Sequence, residues 1–352
     1  MAILYGFHNV QEILDRRVAE VPENVVFDAM AAAAAAHNQD LNDAMSIFVQ
    51  TVQEHQVGVG VQTENELQPV DEWGRPDPVR FPPPAARAFP LKMAQTSIAL
   101  NYVLSQKMTV QDLNDRLENM FLADTRWMRR QLLGALFTNV PYAFADPQYG
   151  GLTVTPLANN DTEQYFRTNG SIGVDTHHKG SAAMDAAMMV DLHDELVEHD
   201  LNGGADAQVV ALIATNLVAT AKALPGFVNT TDPNVTAGTG NDQYVGSFAA
   251  TAPGTPIGYD EDARVHLREW PTLPSNYVVG ITNGAVPPIA MREDPEASLR
   301  GFGEIPGRTD MPYLQRIWSR RAGFGAYNRV GAVVYQTNNV TYSIPTGYQQ
   351  PF

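Results

Sequence analysis

The stretch DEWGRPDPVRFPPPAARAFP, Asp71 to Pro90, carries six prolines, three arginines and one tryptophan in twenty residues. Proline has no N–H to donate and a fixed φ, so neither a helix interior nor a central strand accommodates this density. The segment therefore reads as an extended arm whose packing partners lie elsewhere. Its flanks support that reading. From Glu23 to about Gln53 there is no glycine or proline, and Val26, Met30, Ala33, His37, Leu41, Met45, Phe48 and Val52 recur at three- and four-residue steps. This period predicts one long amphipathic helix, with the run Ala31 to Ala36 allowing close approach of a neighbour and His37 a packed, hydrogen-bonded residue. HQVGVGVQTENELQ then alternates Val57, Val59 and Val61 on one face, and RAFPLKM can return as a second strand. A hairpin with a long proline-rich tip is expected. A lone helix and a lone hairpin are marginal in water, so residues 1 to 90 need neighbours to cover their apolar faces.

The chain has 352 residues, 44% of them hydrophobic, which suffices for one elaborated domain or two subdomains. Its net charge of -16 opposes tight binding to a phosphate backbone, which relies on clustered Lys and Arg. Lysine occurs only at 92, 107, 179 and 222, so nearly all positive charge is arginine, suited to planar carboxylate pairing at interfaces. The absence of cysteine excludes disulfides, thiolate metal sites and a cysteine nucleophile, with the cytosol as the default compartment. No apolar run approaches the roughly 20 residues of a bilayer span, and the opening MAILYGFHNVQEILDRR is not a signal peptide. Neither secretion nor membrane insertion is expected.

Beyond the arm, Thr109 and Asp112 form a helix N-cap pattern. An apolar stripe through Leu113, Leu117, Met120, Phe121, Trp127, Leu132 and Leu136 extends the helix over 109–138, before Pro141. At 1.5 Å per residue this spine is roughly 45 Å long. A second helix is expected from Ser181 to about Glu198, a buried strand in AQVVALIA, a short helix in NLVATAKALPGF, and a surface loop from Val228 to Tyr259 with room for a hairpin. VHLREWPTLP, NYVVGIT and PIAMRED supply strands, and the last forty residues alternate over two or three more.

Catalytic patterns fare poorly. His193 and His199 are six apart, about 240° around a helix at 100° per residue, and so face differently. His177 and His178 would point to opposite faces of a strand, as a solvated or interface pair. Asp260, Glu261 and Asp262 lack the spacing of a calcium loop and read as an acidic turn. The glycines of NGSIG do not fit a nucleophile elbow, and GTGNDQ lacks the lysine and the strand-to-helix setting of a phosphate cradle. No catalytic residue, cofactor site or metal site is expected, and the chain reads as a non-enzyme.

The order of parts resembles the major capsid proteins of tailed bacteriophages, an α+β architecture known as the Hong Kong 97 fold. The resemblance covers essentially the whole chain and is carried most by REWPTLPSNYVVGI (268–281), PIAMREDPEASLRGFGE (288–304) and RRAGFGAYNRVGAVVYQTNNVTYSIPTGY (320–348). It implies an N-terminal arm over 1–54, an extended loop over 55–90 and a peripheral domain over 91–180 containing the spine helix 109–138. An axial domain would span 181–308, and 309–352 would be C-terminal strands returning to the peripheral domain. The implied role is structural: self-assembly into hexamers and pentamers of an icosahedral virion shell, built in the host cytoplasm, that encloses double-stranded DNA without binding it specifically.

The partners so implied are neighbouring copies of the chain in its own and adjoining capsomers, together with scaffolding, portal and decoration proteins, and no membrane. Some members cross-link subunits through a lysine in the extended loop. Residues 55–91 contain none, and Lys92 lies only at the base, so a non-covalent clasp is expected. Capsid-like features begin within the first fifty residues, so a separate scaffolding protein, or none, is expected. Within the loop, Trp73, Arg75, Arg80 and Phe81 are the candidate inter-subunit contacts, because aromatics and arginine anchor buried interfaces. The alternatives are an encapsulin-type shell holding a cargo enzyme, and a soluble α/β enzyme with an unrecognised site.

Overall fold

The computed structural model describes residues 16–21, 23–46, 49–59, 85–101, 106–199, 207–229, 253–283, 286–305 and 313–352. In chain order these form helix α1 (Glu23–Met45), strands β1 (Val49–Val52), β2 (Gln56–Val59), β3 (Ala85–Ala88) and β4 (Lys92–Asn101), and helix α2 (Val110–Phe137). Then come β5 (Tyr142–Asp146), β6 (Gly150–Val154), β7 (Tyr165–Phe166), β8 (Ile172–Gly173), β9 (His178–Ser181) and helix α3 (Ala186–Val197). The rest is β10 (Val209–Ile213), the one-turn helix α4 (Val218–Ala221), β11 (Phe227–Val228), β12 (Thr255–Asp260), β13 (Val265–Glu269), β14 (Tyr277–Thr282), β15 (Ile289–Glu293), β16 (Phe302–Ile305), β17 (Tyr313–Ala326) and β18 (Ala332–Thr337). No helix among the described residues is long and apolar enough to cross a membrane.

The chain divides into two compact units. One comprises Met1–Met45, Leu91–Gln131 and Glu293–Gly323; the other comprises Ser46–Pro90, Leu132–Arg292 and Phe324–Phe352. In the first, β17 pairs antiparallel with β4 over ten positions, Tyr313↔Asn101 through Ala322↔Lys92, and with β16 on its other edge. Met30 and Ala34 of α1, Ile98 of β4, Leu113, Leu117 and Met120 of α2, Phe302 of β16 and Trp318 of β17 form its core. Helix α2 begins with the expected reciprocal cap: the Thr109 hydroxyl accepts from Asp112 N–H at 3.1 Å, and Asp112 accepts from Thr109 N–H at 2.9 Å. Asn38 of α1 acts as a substitute strand for β16, its amide donating to Phe302 O at 3.0 Å and its Oδ1 accepting from Phe302 N–H at 2.8 Å. The turn before β16 bends through Gly301, whose φ of 73° puts it in the left-handed region beside Asn38.

The second unit centres on a seven-stranded sheet in the order β11-β12-β13-β10-β14-β18-β9. Every residue of β10 and of β14 is buried, as expected for central strands covered on both faces. Helix α3 packs on β14 and β18, so tightly that a Cβ on Gly280 would lie 2.9 Å from Leu192 Cδ2. At the edge strand β9, a Cβ on Gly180 would meet the backbone oxygen of Asn339 at 2.5 Å, so this position admits only glycine without movement. β1 runs parallel to β15, Val49↔Ile289 through Val52↔Arg292.

Four sequence expectations are corrected. The apolar period carried the first helix to Gln53, but α1 ends at Met45 and Val49–Val52 is a strand. VQTV is rich in β-branched residues, and pairing with β15 decides its conformation over the continuing period. The helix expected from Ser181 starts at Ala186, where Asp185 caps it by accepting from Met188 N–H at 2.9 Å. The segment between Val228 and Tyr259 is closed by an antiparallel pair, β11 with β12, as the hairpin reading allowed, but β12 is buried from Ile257 and so is not surface loop. The hairpin forms, β2 with β3 from Gln56↔Ala88 to Val59↔Ala85, but its return strand ends at Ala88 and Lys92 opens a separate strand.

Candidate functional site

Trp73, Arg75, Arg80 and Phe81 lie outside the described residues, so the proline-rich tip is known here through its root. The root is built from two buried arginine networks. The Arg87 guanidinium, on β3, grips Glu163 with both terminal nitrogens, one bond being 2.6 Å. Glu163 also accepts from Arg329 at 2.8 Å, and Arg329 donates in addition to Pro156 O at 2.5 Å, to Leu157 O at 3.3 Å and to Asp161. Burial pushes the Glu163 carboxyl up, but the two guanidiniums outweigh that and hold it below its ordinary value. Arg329 is 2% exposed and Arg87 4% exposed, so these are permanent charges removed from water and matched in place.

One layer away, Arg292 of β15 donates to Phe89 O at 2.9 Å and to Asp146 Oδ2 at 2.7 Å. Asp146 also accepts from the N–H groups of Gln148 and Tyr149, and these bonds together with Arg292 keep it ionised against its burial. Phe89 is fully buried with Val52 and Ala290, and its N–H donates to His55 O at 2.9 Å. The His55 ring stacks on Tyr149, centroids 3.8 Å apart, and the Arg292 guanidinium lies 5.6 Å from the Tyr149 ring. The return end of the loop is thus fastened by the bidentate Arg87–Glu163 pair, the Arg292 bond to Phe89 O and the buried Phe89 ring, and the outgoing end by the His55 carbonyl and ring. Charge-assisted bonds of this kind are stronger and more directional than neutral ones, so the arrangement fixes the root of the loop.

A third cluster lies in the first unit. Arg320 of β17 donates from two nitrogens to Asp124 of α2, both at 2.6 Å, and from one of them to Asn38 at 2.8 Å. His37 meets the same carboxylate at 2.9 Å and stacks on Phe121 at 4.7 Å, the packed, bonded histidine expected from its place on the apolar stripe. Lys92 donates to Gln131 at 3.1 Å, and partial burial with Arg130 nearby lowers its pKa to about 8. Asp260 makes the expected acidic turn, accepting from the N–H groups of Asp262 and Ala263 at 3.1 Å each.

The histidine pair is corrected. His177 and His178 are not a solvated pair: both are buried, with pKa values lowered by desolvation to about 3 and about 4. His177 Nδ1 bonds Ala332 O at 2.8 Å, and His178 Nε2 bonds Leu136 O at 2.9 Å. His199, separated from His177 in sequence by all of α3, packs beside it with ring centroids 5.5 Å apart. Sequence spacing gave no hint of this, because the chain reversal through α3 brings the two together. The arginine pairs were legible only as an excess of arginine over lysine, and those at 87, 292, 320 and 329 find their carboxylates within the chain.

A chain from Mycobacterium phage Patience superposes with a TM-score of 0.70 at 20% identity, covering 99% of this chain and 98% of that one. The fold is therefore the α+β Hong Kong 97 type. Further matches include the mature capsid of bacteriophage PhiM1, at TM-score 0.48 and 12% identity over 82% and 85% of the two chains. The holo encapsulin complex of Synechococcus elongatus matches at TM-score 0.44 and 11% identity over 85% and 88%. No family model and no curated protein matches the chain.

Proposed function

We propose that the chain is the major capsid protein of a tailed bacteriophage, a structural protein that assembles into hexamers and pentamers of an icosahedral head around double-stranded DNA. The observation that carries this reading is the end-to-end likeness to a chain from a phage, at 99% and 98% coverage. In this reading residues 1–54 are the N-terminal arm and 55–90 the extended loop. The peripheral domain takes 91–180, the axial domain 181–308, and the strands of 309–352 return to the peripheral domain. The loop root supports the assignment: two buried arginine networks are more than a solvent loop needs, and they suit a clasp that bears load from a neighbouring subunit. Trp73, Arg75, Arg80 and Phe81 at the tip would dock there by packing and charge. Rings and repeated heterologous contacts then add modest energies into a stable shell. A net charge of -16 leaves packaged DNA free to slide along the inner wall.

Deleting Leu67–Pro84 tests the loop's part in this. The full chain should sediment as closed shells, and the deletion variant as folded, soluble protein that forms no stable shell. Normal shells from the deletion would overturn the clasp. A full chain that copurifies with a cargo enzyme in place of DNA would shift the reading to an encapsulin.

A further inference from the structure

We propose that Asp175, His177 and His199 form a binding site for one divalent transition-metal ion of the zinc class, with Glu198 closing the set. The inference does not depend on the capsid reading. One ligand atom from each of Asp175, His177 and His199 lies within 4.8 Å of the others, and the same holds for Asp175, Glu195 and Glu198. Two imidazoles and a carboxylate are the ligands such an ion prefers, at about 2.0–2.2 Å, so binding would draw these atoms together by an ångström or so.

Three independent features point to a cation. The first is the tautomer of His177. Its Nδ1 faces a carbonyl, Ala332 O at 2.8 Å, so Nδ1 carries the proton and Nε2 presents a bare lone pair. That Nε2 is buried and makes no hydrogen bond, on a residue with 0% exposure. A backbone carbonyl on the far nitrogen is the usual support of a metal-bound histidine. The second is His199, 1% exposed, whose Nδ1 has no hydrogen-bond partner and whose Nε2 approaches Asp175 Oδ2 at 3.2 Å and Glu198 at 3.8 Å without hydrogen-bond direction. Glu195 Oε2 is likewise buried and unbonded. Unpaired buried polar atoms are costly, and His177 and His199, which carry three of them, each bring one ring nitrogen within 4.8 Å of the Asp175 carboxylate.

The third feature is charge. Four carboxylates, Asp175, Asp191, Glu195 and Glu198, face two cations: Arg167 at 3.3 Å from Asp175 and 3.5 Å from Glu198, and Lys179 on Asp191 and Glu195. A divalent ion would balance the two uncompensated charges. The backbone already fixes the ligands: His177 N–H donates to Ala158 O at 2.7 Å, Asn160 N–H to Asp175 O at 2.6 Å and Thr168 N–H to Glu198 O at 2.7 Å. The ion would join the end of α3 to the approach to edge strand β9.

The test uses the full chain, dialysed against a chelator and titrated with Zn2+, with bound metal counted by mass spectrometry. Wild type and the control His193→Ala, on α3 outside the cluster, should each bind about one ion per chain, and His177→Ala and His199→Ala should bind at least tenfold more weakly. X-ray absorption of the zinc-loaded wild type, which needs no variant to fold, should show imidazole scattering from two histidines. Failure of the wild type to take up zinc, undiminished binding by both histidine variants, or a metal shell without imidazole would each overturn the proposal.

Discussion

Arg320 and Arg321 are neighbours on β17, and each pairs with a buried carboxylate. Arg320 and Asp124 are each 2% exposed and joined by two bonds, whereas Arg321 is 29% exposed where it pairs with the buried Asp294. Arg320→Ala strands a buried carboxylate, so urea unfolding should show a loss of about 3–5 kcal/mol. Arg321→Ala should cost less, about 1–3 kcal/mol, because Arg321 is already 29% exposed and Asp294 keeps the Glu296 N–H at 2.9 Å. His266 on β13 gives a pH signature. Burial, and then Arg268, lower its pKa from 6.5 to about 4, so the unfolded chain binds a proton between those values that the native chain refuses. Stability should be full above pH 6.5, fall as pH drops towards 4, and fall less steeply in His266→Phe; equal slopes for the two proteins would contradict this. Such residues show where sequence reading stops. His37 was legible because it lay on an apolar stripe, but the partners of His177, His199 and Arg329 come from distant segments, and no local spacing encodes them.

At the scale of elements, legibility followed the strength of the local signal. Helix α2 carries a capping box, a stripe of seven apolar positions and a stopping proline, and it forms at Val110–Phe137 within a residue of its expected bounds. β10 was legible as a short apolar run. β1 was not, because its strand character depends on β15, more than two hundred residues away. Gly180 illustrates the same dependence: nothing in HKGS demands a glycine, but the backbone of Asn339, Val340 and Thr341 passes within 2.7 Å of where a Cβ would be. Gly180→Ala should cost about 1–3 kcal/mol by forcing that backbone away. Gly303→Ala on β16, with open space around its Cβ position, serves as the control.

For the whole molecule, composition and the order of parts indicated a chain that does not cover itself. The chain has the α+β Hong Kong 97 architecture, with the root of its proline-rich segment held by Arg87, Phe89 and Arg292. The tip carrying Trp73, Arg75, Arg80 and Phe81 would find its energy in a neighbouring copy, with prolines reducing the entropy lost on docking. The most direct measurement is electron microscopy of the purified full-length chain. Closed shells tens of nanometres across, tiled by five- and six-fold capsomers, are the predicted result. A uniform small monomer or dimer at every concentration and salt would contradict the assignment.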